Sequence, residues 1–185
     1  NFFYESEFRI RNKFIKKNFW LLKNLFKKLY LLLCKNKYFE GSWHGNDTIW
    51  RTIADLNRIL LYCGKDGLLK EDCQRSIFVL VDALIIGEKE GPLEPTSKNL
   101  NCLVGGFNSL LVDIVCSKII GFDYKKIPSI NNILTSNYAY PISKVKTFEI
   151  DISINGKTTK INKLPIIKRT TPSFGWNGHI EIKKT

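Results

Sequence analysis

The chain has 185 residues, 44% hydrophobic and 25% charged, and a formal net charge of +12. That balance describes a folded domain of ordinary size and excludes a disordered chain. The most apolar runs, Leu29 to Cys34 and Ile77 to Val81, fall far short of the roughly 18 uncharged residues a transmembrane helix needs.

The chain opens at Asn1 and contains no methionine. The expectation is a portion of a longer protein, whose N-terminal region would be its first partner and would supply part of any site. Charges run straight through the first apolar stretch, unlike a signal peptide. Residues 1–38 hold ten Lys/Arg against Glu5 and Glu7, so +8 of the charge sits there.

Glu5 to Lys35 reads as one long amphipathic helix. Phe8, Ile15, Leu22 and Leu29 repeat every seven residues, with Phe19, Phe26 and Leu33 as the companion seam. Phe14, Leu21, Leu25 and Leu32 widen the stripe, and lysines fill the opposite side. Three uses compete for such an arm: docking on the rest of the protein or a partner chain, lying on an anionic membrane surface, or binding nucleic acid. Lys beside Phe, Trp and Leu is the composition of interfacial helices. Nucleic acid ranks last, because no recognised motif accompanies the charge.

A loop from Asn36 to Asn46 carries Gly41 and Gly45. A second helix, capped by Asn46 or Asp47, should run to about Cys63 and stop at Gly64. Lys65-Asp-Gly67 is a turn. Ile77 to Ile86 is apolar and β-branched, which predicts a buried strand. Gly87 to Lys98, with Gly87, Gly91, Pro92 and Pro95, reads as a loop. Leu100 to Val104 is a second short strand, and Asn108 caps a third helix, about Ser109 to Ile120, ended by Gly121. Ile127-Pro128 opens a segment with a helical turn around Ile130 to Leu134. Val145 to Ile154 alternates, Asn155-Gly156 is a hairpin turn, and Lys157 to Leu164 pairs back. The expected fold class is α/β: a mixed sheet with flanking helices, a basic helical arm over 1–40 and a domain over 41–185 ending in a β-hairpin.

Polar residues set against apolar runs mark the candidate site, since burying them is costly without partners. On the second helix Asp47, Arg51, Asp55, Arg58 and Tyr62 share one face, and Ile49, Ile53, Leu56 and Leu60 line the other. The polar face is either a solvated ion-pair ladder or, with His44 and Asn46 at the helix start, an anion or metal pocket. Asp82 lies within the apolar strand, where a carboxylate needs a cation or several donors. With Glu88 and Glu90 at the strand end it could hold a hard cation such as magnesium through oxygen ligands. Gly105, Gly106 and Asn108 lie between strand and helix, where either a phosphate cradle or tight packing calls for glycine. In the enzymatic reading His44 and Asp47 transfer protons, Arg51 holds an anion, and Asn46 and Asp55 help bind the ligand. His44 and His179 stand in similar Trp/Gly/Asn settings, with His179 read as structural. Cys34, Cys63, Cys73, Cys102 and Cys116 include no Cys-x-x-Cys pair, so an iron–sulfur cluster finds no support and free thiols in a reducing cytoplasm are expected.

Trp43-His-Gly-Asn-Asp-Thr-Ile-Trp-Arg-Thr52 and Asp55-Leu-Asn-Arg-Ile-Leu60 resemble the bacterial proteins grouped as domain of unknown function 362. So do Val81-Asp-Ala, Gly87-Glu-Lys-Glu-Gly-Pro-Leu93, Gly105-Gly-Phe-Asn-Ser-Leu-Leu-Val-Asp113 and Gly121-Phe-Asp-Tyr124. Phe174-Gly-Trp-Asn-Gly-His-Ile-Glu181 is similar to the subset found alongside cell-surface polysaccharide synthesis. The likeness covers most of residues 41–181 and implies an α/β fold with a shared pocket. It brings no established reaction. Two functional readings follow. One is a cytoplasmic, divalent-metal-dependent enzyme on a phosphorylated or carboxylated small molecule. The other is a non-catalytic module that docks on a partner or on the inner membrane through its basic helix.

Overall fold

The computed structural model describes residues 13–33, 41–144 and 150–183, which fall into two units, 1–40 and 41–185. In the first unit a single helix, α1, spans Lys13–Leu33. It matches the heart of the expected arm; the predicted ends over 5–12 and 34–35, and Cys34, lie outside the described residues. Among the described residues no helix is long and apolar enough to cross a membrane.

The second unit combines helices with two small antiparallel sheets. Helix α2 (Ile49–Tyr62) is followed by strands β1 (Val79–Glu90) and β2 (Glu94–Gly106), then helix α3 (Ser109–Ile119). A 3₁₀ turn at Tyr124–Lys126 leads into α4 (Pro128–Thr135), then a small ribbon of β3 (Asp151–Ile154) and β4 (Lys157–Lys160). The expectation of helices with sheet is met in its general form. Among the described residues, the single mixed sheet is replaced by two two-stranded ribbons, β1–β2 and β3–β4. Of the predicted terminal hairpin, 145–149 lie outside the described residues; the turn itself forms, with Asn155 and Gly156 both at positive φ.

The largest departure is the segment 87–98. Gly and Pro there predict a loop, yet it forms the distal half of a long hairpin that reverses at Gly91-Pro92-Leu93. A two-stranded ribbon explains this. Pro95 lacks a ladder N–H, but no third described strand asks for one. The register steps from Ala83 opposite Cys102 to Ile85 opposite Asn99, so β2 carries one extra residue, and Asn101 takes φ 57 there.

The core sits between the inner ribbon face and α3. Ala83 and Leu100 from the ribbon meet Leu110, Ile114 and Ile119 of α3, with Ile130, Ile133, Ile150, Ile161 and Leu164 completing it. Helix α3 starts as expected, with the Asn108 carboxamide oxygen accepting from Leu111 N. Its end turns at Gly121, whose φ of 87 suits glycine. Helix α2 packs on α4, with Trp50 and Ala54 in the shared core and Tyr62 buried beside Tyr140 and Pro141. The apolar face read from the sequence, Ile49, Ile53, Leu56 and Leu60, is exposed, as is Ile59.

Candidate functional site

The start of α2 is a network of local bonds. Asn46 Oδ1 accepts from the backbone N–H groups of Thr48 and Ile49, both at 3.0 Å, so Asn46 occupies the donors an anion would need. Asp47 accepts from the Trp50 indole N–H at 2.8 Å and pairs with Arg51. Those two hydrogen bonds, the Trp50 one foremost, hold the Asp47 carboxyl below the usual aspartate value. Asp55 pairs with Arg58, whose guanidinium lies 3.6 Å from the centre of the Tyr138 ring. Asp47, Arg51 and Asp55 are exposed, which makes them the ladder of surface pairs that their spacing allows.

His44 is held by a partner distant in the chain. Its backbone N–H donates to Gly175 O at 3.0 Å, and its Nδ1–H donates to the same carbonyl at 3.3 Å. The imidazole stacks on His179 with ring centroids 3.5 Å apart and planes 13° from parallel. Gly175 makes this approach possible: a Cβ there would lie 2.1 Å from Ser42 O. The sequence signal is the Trp/Gly/Asn setting shared by both histidines, with His179 expected to be structural. The structure joins them in one clasp.

The three carboxylates considered for metal do not gather. Asp82 is exposed and accepts only from Leu84 N, at 3.1 Å. The expectation that it is buried fails because the ribbon covers one face only, and Asp82 points to the other. Glu88 faces inward, accepting from Lys98 Nζ at 2.7 Å and Thr171 N at 2.9 Å. The Lys98 ammonium, then the Thr171 N–H, hold its carboxyl below the usual glutamate value. Glu90 accepts from Phe174 N at 2.7 Å. Glu88 and Glu90 thus tie the hairpin to the segment 171–174. Among the described residues, no three His, Cys, Asp or Glu side chains form a group able to hold a metal ion.

Gly106 is a packing glycine, since a Cβ there would meet Val112 Cγ2 of α3 at 3.0 Å; Gly105 is exposed, and a Cβ there would meet the tip of the exposed Phe78 ring at 2.9 Å. Asn108 spends its carbonyl on the α3 cap and its amide on Ile142 O at 2.8 Å. These residues border a broad cleft of about 980 Å³ between β2, α3 and β3.

A second cavity, of about 440 Å³, lies beneath the ribbon. Val81, Ala83, Ile86 and Leu100 form one wall, and Cys116, Ile119, Ile120, Phe122, Ile127 and Ile180 form the other. Burial raises the Cys116 thiol to about 11, so it stays protonated and acts as apolar wall. Sealed and empty, 440 Å³ of apolar void would cost on the order of 10 kcal/mol at about 24 cal/mol per Å³, as much as a domain's whole stability. The cavity is not sealed. Its exposed lining residues, Gly87, Lys89, Gly91 and Thr171, mark a mouth at the hairpin end.

Compared with known proteins, the chain matches no family model, no curated sequence and no solved structure.

Proposed function

We propose that this chain is an interaction module that attaches to an anionic membrane surface through α1. The observation that carries the reading is the surface of that helix. Leu21, Leu22, Leu25, Phe26, Leu29, Leu32 and Leu33 are exposed and fall on one arc at 3.6 residues per turn. In the sequence, lysines recur between the positions of that stripe, the pattern of a two-faced basic helix. An apolar stripe that enters the headgroup boundary, backed by lysines each contributing about 1 kcal/mol near anionic lipid, is the chemistry of an interfacial helix. The metal-enzyme reading draws less support, because Asp82 faces away from Glu88 and His44 is engaged with His179. The likeness to the domain of unknown function 362 family is compatible with either and decides neither.

Co-sedimentation of the whole chain with vesicles tests the reading. Phosphatidylglycerol-containing vesicles should retain it and pure phosphatidylcholine should not, with retention falling at high salt. The double substitution Leu25→Glu, Phe26→Glu should abolish retention. Equal retention on neutral and anionic vesicles, or none on either, overturns the membrane assignment and leaves docking on a protein partner.

A further inference from the structure

The cavity beneath the ribbon has three properties that together define a ligand. Its interior is apolar on both walls, from Ala83 and Leu100 to Ile119 and Ile180. Its volume of about 440 Å³ falls within the range of small-molecule sites, roughly 300–1,000 Å³. Its polar lining offers donors more than acceptors. Glu88 lines it, but that carboxylate is matched by Lys98 and the Thr171 N–H. Glu90 bonds Phe174 N and does not line the cavity.

What remains for a ligand is cationic and donating. Lys89, at the mouth, forms no direct ion pair among the described residues; its charge is felt by Glu88, but with Lys98 the two ammoniums outnumber that one carboxylate. Its backbone is fixed there at φ 68, a region unusual for a residue with a Cβ, by a 2.9 Å bond from its N–H to Thr171 O. Trp176 lines the same cavity, and its indole N–H meets no acceptor among the described residues.

From this complementarity we infer that the cavity binds a single-chain anionic amphiphile of the fatty-carboxylate class. The hydrocarbon chain lies between the inner ribbon face and α3, and the carboxylate is received by Lys89 and the Trp176 N–H at the mouth. Transfer of each buried methylene from water favours binding, and the charge-assisted contact fixes which end enters. The site is independent of the membrane reading, since it uses no residue of α1.

The test is calorimetric titration of the full chain with dodecanoate below its micelle concentration, with dodecanol as the uncharged comparison. Expected is saturable one-to-one binding, with dodecanol weaker by about tenfold. Lys89→Gln should bring dodecanoate down to the dodecanol level and leave dodecanol unchanged. Ala83→Leu, which fills the inner wall, should abolish both, provided circular dichroism shows a native fold; Ile120→Phe serves as a second filling variant. The Leu25→Glu, Phe26→Glu protein should bind dodecanoate normally, so failure of the membrane reading and failure of this one are distinguishable. Absent or non-saturable binding overturns the proposal. So do equal affinities for acid and alcohol, and binding that survives both filling variants in folded protein.

Discussion

Helices α2 and α3 belong to one unit, yet they use their apolar residues in opposite ways. In α3 Leu110, Val112, Ile114 and Ile119 are buried, Ile114 completely. In α2, the more regularly two-faced of the pair in sequence, the stripe Ile49, Ile53, Leu56 and Leu60 is exposed, and the contacts come from Trp50, Ala54 and Tyr62. Periodicity thus identifies a helix and its faces, while contact with neighbouring elements decides which face is inside. Trp50 and Tyr62 win because each has a partner for its polar atom: Asp47 for the indole, Pro141 O at 2.7 Å for the phenol.

The contrast can be broken by truncation. Ile114→Ala should cost roughly 2–5 kcal/mol in urea unfolding, from lost transfer energy and the void left behind. Leu56→Ala, on the exposed stripe, should stay within about 0.5 kcal/mol. Similar values for the two would mean that the α2 stripe is covered in solution.

The helix starts sharpen it at smaller amplitude. Asn108→Ala removes a side-chain cap from α3 and should cost about 1 kcal/mol. Thr48 makes no such bond to α2, so Thr48→Ala should change stability by no more than a few tenths.

Acid titration gives the smallest and most specific contrast. The Glu88–Lys98 pair is enclosed, with side chains 11% and 24% exposed, whereas Asp47 and Arg51 are 68% and 60% exposed. Glu88 has a depressed pKa, so its contribution is complete above the ordinary value of 4.5 and lost as pH falls through the depressed one. Wild type and Glu88→Gln should therefore differ in urea midpoint near neutral pH and converge in acid. The difference between wild type and Asp47→Asn should vary far less with pH, because solvent screens that exposed pair.

Much of the fold could be read from local chemistry. Asn108, Gly121, Pro128 and Asn155-Gly156 each mark a boundary by a rule confined to a few residues, and the helices and turn found there follow from them. What stayed hidden was either long-range or two-sided. Ile77 to Ile86 is apolar on both ribbon faces, so no alternation revealed that Asp82, Leu80 and Ile85 point outward. The hairpin over 87–98 was masked by glycine and proline, which break most strands and are tolerated in a narrow ribbon. The candidate site suffered most. Meeting of His44 with Gly175 spans 131 positions, and no spacing rule reaches that far. The cavity beneath the ribbon is made by side chains that looked like ordinary core.

The clasp between residues 42–44 and 173–179 has a consequence for how the unit tolerates cutting. It brings the entry and exit of nearly the whole α/β unit to one point, closed by a backbone bond, side-chain bonds from His44 and Ser42, and a glycine contact. Removing residues 173–185 would take away Gly175 and Ser173 and leave the start of α2 unanchored, so damage would spread to the other end of the unit. Conversely, a short linker across that point would make a natural circular permutant, with new termini placed at an exposed turn such as Asn155-Gly156.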